Sequence, residues 1–121
     1  MSTVRDMIRK KGSEVFSILP DATIYEALTL LAKHNTGALM VVSGNKVEGI
    51  LSERDCVRKV DLDGKSSKNT KVSEIMTSKV IYVEAGQQLD ECMALMIDKN
   101  IRHLPVFDGT ELLGLISVRD V

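Results

Sequence analysis

An internal repeat constrains the fold of this chain more than any other feature of its sequence. When the 121 residues are shifted by 65 positions against themselves, residues 24–55 align with residues 89–120 without a gap. Ten of the 32 aligned positions are identical, and four of these ten fall in the last seven positions. Because each copy of a repeat folds as the same supersecondary unit, the sequence predicts two equivalent halves.

Each copy also has its own short lead-in segment. At an offset of 68, residues 4–8 (VRDMI) align with 72–76 (VSEIM), so the first copy carries three extra residues around positions 9–14. The intervening segment 61–70 (DLDGKSSKNT) is polar and contains Gly and Ser, which is typical of a surface connection. We therefore divide the sequence into repeat 1 (1–60), a linker (61–70) and repeat 2 (71–121).

The hydrophobic patterns predict the same element order in both copies. Thr23 and Glu26 form a capping-box pattern ahead of apolar residues at helical spacing, and the second copy repeats that spacing from Leu89. Short apolar runs on either side of turn residues predict a β-hairpin in each copy. A strand precedes each helix, and a second helix begins at Ser52 and, in the other copy, at Ser117. The predicted strands are 15–19, 38–42 and 47–51 in copy one, and 80–83, 104–107 and 112–116 in copy two.

The prediction is thus an α/β (α+β) fold of two pseudo-symmetric repeats, each strand-helix-strand-strand-helix, packed sheet to sheet. Because the sequence stops four residues after Ser117, we expect the final helix of repeat 2 to be missing.

Composition excludes several classes of protein. The formal net charge is −1 and aromatic residues make up 3%, which disfavours a nucleic-acid-binding surface. No apolar stretch is long enough to cross a membrane, and the N-terminal residues do not resemble a secretory signal. We expect a cytoplasmic protein, with an organellar matrix as the alternative. Cys56 and Cys92 lack redox or zinc spacing and are interpreted as buried thiols.

The repeated segments 49–55 (GILSERD) and 114–120 (GLISVRD) are the best candidates for chemistry. Each ends a strand and opens a helix, where free N–H groups and a serine hydroxyl favour a phosphate. The aspartate three residues later is a bidentate acceptor suited to ribose hydroxyls, and Arg54 and Arg119 add positive charge. Gly49 and Gly114 are predicted to let a ligand approach the backbone. The same Ser-x-x-Asp spacing is also an ordinary N-terminal cap, and spacing alone does not separate the two interpretations.

This pattern, found twice, resembles the CBS domain, named after cystathionine β-synthase, and two such domains in tandem resemble a Bateman module. The resemblance extends from Thr3 to Val121. It is closest to small stand-alone CBS-pair proteins, on the motifs SERD followed by Arg58-Lys59, GKSSK at 64–68 and IRHLPV at 101–106.

The resemblance implies adenine nucleotide binding (AMP, ATP, NAD or similar) in two clefts between the repeats. Asp55 and Asp120 would hold ribose hydroxyls, and Ser52 and Ser117 would meet phosphate. The adenine would be flanked by Ile50 and Leu115, and the first strand of the opposite repeat, around Phe16 and Ile81, would close the base pocket through backbone contacts. Arg102 and His103 would reach phosphates in the second cleft, whereas the aligned Gly37 and Ala38 carry no charge. We therefore expect the cleft with Asp120 to be the better site for a di- or triphosphate.

No catalytic group or metal site is predicted. His34 and His103 have no ligand partners at metal-binding spacing, and no serine or cysteine is accompanied by a base. The predicted function is regulatory: a homodimeric sensor without enzyme activity that changes conformation on binding a nucleotide and signals to a partner. Three alternatives remain open: an interaction module of the same fold without a ligand, an enzyme acting on the nucleotide, and a regulator of a redox protein that acts through a partner.

Overall fold

The computed structural model describes residues 2–121 as an alternation of helices and short strands. It includes a π-helical turn at Val57–Asp61 and a 3₁₀ turn at Val118–Asp120. The other elements, in chain order, are α1 (Val4–Lys11), β1 (Ser17–Ile18), α2 (Ile24–His34), β2 (Ala38–Ser43), β3 (Lys46–Ser52), α3 (Glu53–Cys56), α4 (Val72–Ile75), β4 (Val83–Glu84), α5 (Leu89–Lys99), β5 (His103–Asp108) and β6 (Glu111–Ser117).

These elements form two compact units that do not follow the repeat in sequence. Unit I comprises residues 16–80, and unit II comprises residues 2–15 together with 81–121. The lead-in helix α1 therefore belongs to the unit that holds the sheet of repeat 2. Likewise, α4, the lead-in of repeat 2, belongs to the unit that holds the sheet of repeat 1.

Unit I contains a three-stranded sheet in the order β1-β2-β3, with β1 parallel and β3 antiparallel to β2. The predicted hairpin is confirmed: Ser43 pairs with Lys46 around a two-residue turn. Gly44 is the first central residue of that turn and has a φ of 62°, as a type II′ turn requires.

Unit II repeats this sheet as β4-β5-β6, again with one parallel and one antiparallel pair. The register is also repeated, since Ile18 pairs with Val41 in unit I and Val83 pairs with Val106 in unit II. The second hairpin turns at Gly109, which also has a φ of 62°. The identity of Gly44 and Gly109 in the repeat is thus explained by two equivalent turns.

The predictions of first strands over 15–19 and 80–83 are both wrong in their bounds, because β1 covers only Ser17–Ile18 and β4 only Val83–Glu84. In unit I, the Met40 N–H donates to the carbonyl oxygen of Phe16 at 3.0 Å and ties that residue to β2. The residue aligned with Met40 is Pro105, which has no N–H to donate. Ile81, aligned with Phe16, therefore has no equivalent bond, and the strand starts later.

The two long helices end in the same way, but only α2 begins with a side-chain cap. The Glu26 N–H donates to Thr23 Oγ1 at 3.1 Å, and the Thr23 N–H donates to the Glu26 carboxylate at 3.3 Å, which confirms the predicted capping box. Helices α2 and α5 each have 11 residues and end at an asparagine in the left-handed conformation, Asn35 or Asn100. Asparagine tolerates this conformation better than most side chains, which explains its presence at both positions.

Each unit has its own hydrophobic core, formed where its helices pack on its sheet. In unit I the fully buried core side chains include Ile24, Leu31, Leu39, Leu51 and Val72. In unit II they include Val4, Cys92, Leu104, Val106 and Ile116. Val4 and Val72, which align in the two lead-in segments, are both 0% exposed, so each lead-in helix contributes to the core of its unit.

Candidate functional site

The predicted phosphate and ribose groups of unit II meet at the end of β6. The Ser117 N–H donates to Oδ2 of Asp120 at 2.8 Å, and the Ser117 hydroxyl lies 3.2 Å from the same oxygen. Lys11 Nζ, from the end of α1, donates to Oδ2 of Asp120 at 2.6 Å and to the carbonyl oxygen of Leu115 at 2.7 Å. The carboxylate predicted to bind ribose is thus held by three donors of its own unit.

Arg102 and His103 lie beside this group because of the strand pairing. His103, the first residue of β5, pairs with Ser117, and the N–H of Val118 donates to the carbonyl oxygen of Arg102 at 2.9 Å. These contacts place the backbones of the two basic residues beside Ser117 and Val118, with the His103 side chain half-buried and the Arg102 side chain exposed. We call Lys11, Arg102, His103, Ser117 and Asp120 the Asp120 cluster.

The charges in the Asp120 cluster shift two pKa values. Burial lowers the pKa of His103, the positive charges of Lys11 and Arg102 lower it further, and Asp120 opposes them. Burial by itself would raise the pKa of Asp120, but the hydrogen bonds from Lys11 and Ser117 outweigh it, and the pKa is lowered. The cluster therefore favours an ionised Asp120 carboxylate and an uncharged His103 imidazole, beside the basic side chains of Lys11 and Arg102.

The remaining predicted residues of unit II surround this cluster. Leu115 and Ile81 are half-buried, and Arg119 is exposed. Within the described part of the chain, no hydrogen bond reaches the carbonyl oxygen of Ile81, because Pro105 replaces the expected donor.

Unit I holds the equivalent residues at the same strand positions, but with fewer charges and with a serine hydroxyl that accepts from the aspartate N–H. The Asp55 N–H donates to Ser52 Oγ at 3.0 Å, and Asp55 Oδ2 accepts from the Ser52 N–H at 3.4 Å. Ala38 pairs with Ser52, and the carbonyl oxygen of Gly37 accepts the N–H of Glu53 at 2.9 Å. The basic pair of unit II thus has two uncharged residues as its counterpart.

Asp55 has a lysine partner of its own. Lys59 Nζ lies 3.4 Å from Oδ1 of Asp55 and donates to the carbonyl oxygen of Ile75 at 3.2 Å. In both units, therefore, one ammonium group joins the motif aspartate to a backbone carbonyl. Arg54, which precedes Asp55 in the sequence, is half-buried.

Phe16 and Ile50 lie on either side of β2 in unit I. The Phe16 carbonyl accepts from Met40, and its ring stacks on His34 at a centroid distance of 3.8 Å. Ile50 exchanges two backbone hydrogen bonds with Thr77, at 3.0 Å and 2.9 Å. The backbones of both residues are thus engaged in their own unit.

The proposal that Gly49 and Gly114 admit a ligand to the backbone is wrong. A Cβ added at Gly49 would lie 2.7 Å from the carbonyl oxygen of Thr77 and 2.9 Å from Sδ of Met76, and one at Gly114 would lie 2.6 Å from Cδ1 of Ile8. The aligned lead-in residues Ile8 and Met76 fill the space above the glycines. Glycine is required here for packing between elements of one unit.

Sequence reasoning missed Lys11 and Lys59 as partners of the motif aspartates. Lys59 follows Asp55 by four residues, a spacing that is a known helical ion-pair signal and could have identified it. Lys11 is 109 positions away from Asp120, and it is one of several basic residues at the end of α1. No local pattern connects it with Asp120.

The thiols are buried, as predicted. Cys56 is 3% exposed and Cys92 is 0% exposed. Burial raises the pKa of Cys56 to about 11, with a smaller contribution from the Asp55 and Glu53 charges.

Among residues 2–121, no three His, Cys, Asp or Glu side chains gather as metal ligands would, and no helix is long and apolar enough to cross a bilayer.

Comparison with known families agrees with this geometry. The sequence profile of the CBS domain matches the chain twice, over residues 4–62 and 72–121. The chain belongs to the CBS domain family. It is a CBS pair, a regulatory module, and the recognition made from the sequence motifs is confirmed.

Three similar proteins illustrate the relationship. The mitochondrial CBS domain-containing protein CBSX3 of Arabidopsis thaliana is 37% identical; the match covers 99% of this chain but only 63% of the plant protein. A protein with CBS domains from Burkholderia ambifaria is 47% identical with a TM-score of 0.94, covering 98% of this chain and 90% of that structure. The CBS domain pair of protein MJ0100 was solved in complex with 5′-methylthioadenosine and S-adenosyl-L-methionine; it is 25% identical, with a TM-score of 0.85, covering 99% and 92% of the two chains.

Proposed function

We propose that this CBS pair is a regulatory sensor of adenosine phosphates such as AMP, ATP or NAD, and that unit II is its stronger binding unit. The observation that carries the proposal is the Asp120 cluster, in which Lys11 binds the Asp120 carboxylate and both His103 and the charge of Arg102 lie beside it at the start of β5. A carboxylate suits the two hydroxyls of a ribose, and a guanidinium and an ammonium suit phosphate.

The carbonyl oxygen of Ile81 supports recognition of the base. An amino group such as that of adenine can donate to a free carbonyl oxygen, and Pro105 leaves this oxygen without a backbone donor. The equivalent oxygen of Phe16 already accepts from Met40 at 3.0 Å. Unit II thus has basic residues where unit I has Gly37 and Ala38, and a carbonyl oxygen without a backbone donor where that of unit I is already bonded.

The MJ0100 ligands support the choice of ligand class. Both 5′-methylthioadenosine and S-adenosyl-L-methionine contain adenosine. Those two compounds carry no phosphate, whereas in this chain Lys11 binds Asp120 and Arg102 adds positive charge near His103. We therefore propose that this chain binds adenosine through shared family features and selects phosphorylated forms through its own cations.

Ligand binding without chemistry is sufficient for this function. A ligand that binds one conformation better than another shifts the equilibrium between them, and a partner that distinguishes the conformations responds. We propose that the working form is a homodimer in the cytoplasm or, as the location of the plant relative suggests, in an organellar matrix. The regulated partner is another protein.

A thermal-shift panel tests the ligand class. The full chain is heated with AMP, ATP, NAD, adenosine, S-adenosylmethionine and GTP at matched concentrations. A ligand at 100 times its Kd adds roughly 2.7 kcal/mol to stability, a shift of several degrees for a domain of this size. We expect the adenosine phosphates to give the largest shifts. A panel in which GTP equals ATP would contradict recognition of the base.

One observation favours an interaction module that needs no ligand. Asp55 and Asp120 already have partners within their units, at 3.4 Å from Lys59 and 2.6 Å from Lys11. Under this alternative, the Ser-x-x-Asp segments only cap the chain that follows them. No compound in the panel would then raise the melting temperature.

A further inference from the structure

Lys11 occupies the hydrogen-bonding position that the proposed ribose ligand needs. Its ammonium group donates to Oδ2 of Asp120 at 2.6 Å and to the carbonyl oxygen of Leu115 at 2.7 Å. Oδ2 also accepts from the N–H of Ser117 at 2.8 Å. A diol that takes both oxygens of the carboxylate must therefore compete with Lys11 for Oδ2.

We propose that Lys11 determines ligand specificity in unit II, because its ammonium group leaves Asp120 and binds the phosphate of the ligand instead. This inference rests on the proposed nucleotide-binding function. In the free protein the ammonium neutralises Asp120. When ribose hydroxyls bind the carboxylate, the ammonium is released and binds phosphate together with Arg102.

The position of Lys11 allows this exchange. It is the last residue of α1, whose other end is fixed: Val4 is fully buried, its N–H donates to the carbonyl oxygen of Gln87 at 2.8 Å, and Ile8 is buried. The Lys11 side chain is 31% exposed. A lysine side chain has a flexible stem of four carbons, so its ammonium group can move by several ångströms while the helix stays in place.

The exchange has different energetic consequences for different ligands. A ligand without phosphate displaces the ammonium from Asp120 and provides no new anion for it. The partly buried ion pair is then lost, which weakens the binding of such a ligand. A ligand with phosphate provides a new anionic partner. Lys11 therefore disfavours uncharged adenosine compounds and favours adenosine phosphates.

Unit I provides an internal comparison. Lys59 contacts Asp55 at Oδ1, at the longer distance of 3.4 Å, and lies on the turn that follows Asp55 in sequence. Lys11 comes instead from a separate helix, 109 positions away from Asp120. In addition, the residues aligned with Arg102 and His103 are Gly37 and Ala38, so unit I has no basic residue at these two positions to assist with phosphate.

Isothermal titration of the full chain with AMP and with adenosine tests the proposal. The variants are Lys11→Met, which keeps the length of the stem, Lys11→Arg, which keeps the charge, and the control Lys10→Met on the exposed neighbouring residue. We expect Lys11→Met to weaken AMP binding and to leave adenosine binding equal or stronger, so that the ratio of the two affinities falls about tenfold. Lys11→Arg and Lys10→Met should keep the wild-type ratio.

The outcomes separate this inference from the proposed function. If Lys11→Met weakens AMP and adenosine equally, Lys11 only supports the structure and the inference is wrong, while the sensor function stands. If the wild-type chain binds neither compound, both are overturned. If Lys11→Met does not fold, the Lys11→Arg chain decides, since loss of the AMP preference in a variant that keeps the charge contradicts the exchange.

Discussion

Ile8 of α1 packs directly over Gly114 of β6: a Cβ at Gly114 would lie 2.6 Å from Cδ1 of Ile8. The same relationship recurs in unit I, where Met76 covers Gly49, but there the carbonyl oxygen of Thr77 is also only 2.7 Å from the added atom. The end of an isoleucine side chain can move more easily than the Thr77 carbonyl, which accepts from the Ile50 N–H in a residue whose own N–H donates to Ile50. The two aligned glycines therefore tolerate a methyl group differently.

We predict that Gly49→Ala lowers the free energy of unfolding by about 1–3 kcal/mol, as overpacking does, and that Gly114→Ala lowers it less. Urea denaturation measures both. Adding Ile8→Val to Gly114→Ala removes the atom in conflict, so the double variant should be more stable than the sum of the single effects predicts. Equal losses in both glycine variants, with no rescue, would contradict the packing described for unit II.

The half-buried His103 predicts a pH dependence of stability. Burial, Lys11 and Arg102 lower its pKa in the folded state, while Asp120 opposes them. Below the ordinary histidine pKa the unfolded chain binds a proton that the folded chain does not, so the free energy of unfolding falls as the pH decreases from about 7 towards 5. Thermal denaturation across this range should show the fall, and His103→Gln should reduce its slope. If the free energy of unfolding of His103→Gln has the same slope against pH as that of the wild-type chain, groups other than His103 cause the pH dependence.

Neither thiol is expected to react in the folded protein. Burial raises the pKa of Cys56 to about 11, so only about 0.1% of it is thiolate at pH 8. Burial raises the pKa of Cys92 as well. We predict that a thiol-specific reagent labels neither cysteine in buffer and labels both in denaturant. Rapid labelling of the native chain would favour a direct redox role instead.

Pro105 is predicted to set the length of β4. Pro105→Ala supplies an N–H at the position where Met40 donates to Phe16 in unit I. We expect that N–H to donate to the carbonyl oxygen of Ile81 and to extend the strand, which amide hydrogen exchange at residue 105 would detect as protection. If the carbonyl oxygen of Ile81 accepts from the base, adenosine should also bind the variant more weakly. An amide at position 105 that exchanges as fast as those in exposed loops would contradict this account.

The features that were predicted correctly depend on residues close together in sequence. Thr23 and Glu26 are three positions apart, and the hairpin turn at Gly44 is defined by its flanking residues. The identities of the repeat extended each local prediction to the second copy. This is why the sheets and the long helices could be derived without a structure.

The features that were missed or wrong depend on contacts between distant segments. The start of β4 depends on the residue at position 105 of a different strand, and the partner of Asp120 comes from the opposite end of the chain. The glycines of the two motifs were assigned to ligand access because their neighbours Ile8 and Met76 belong to other segments. The roles of the predicted site residues stay predictions until a ligand is bound.

Isothermal titration of AMP into the wild-type chain, Asp120→Asn and the matched variant Asp55→Asn tests the central claim most directly. Asparagine keeps the size of the side chain but removes the charge and half of the acceptor capacity. The account predicts that AMP binds the wild-type chain, that Asp120→Asn weakens binding at least tenfold, by about 1.4 kcal/mol or more, and that Asp55→Asn has a smaller effect. Wild-type affinity in Asp120→Asn, or a larger loss in Asp55→Asn, would contradict it.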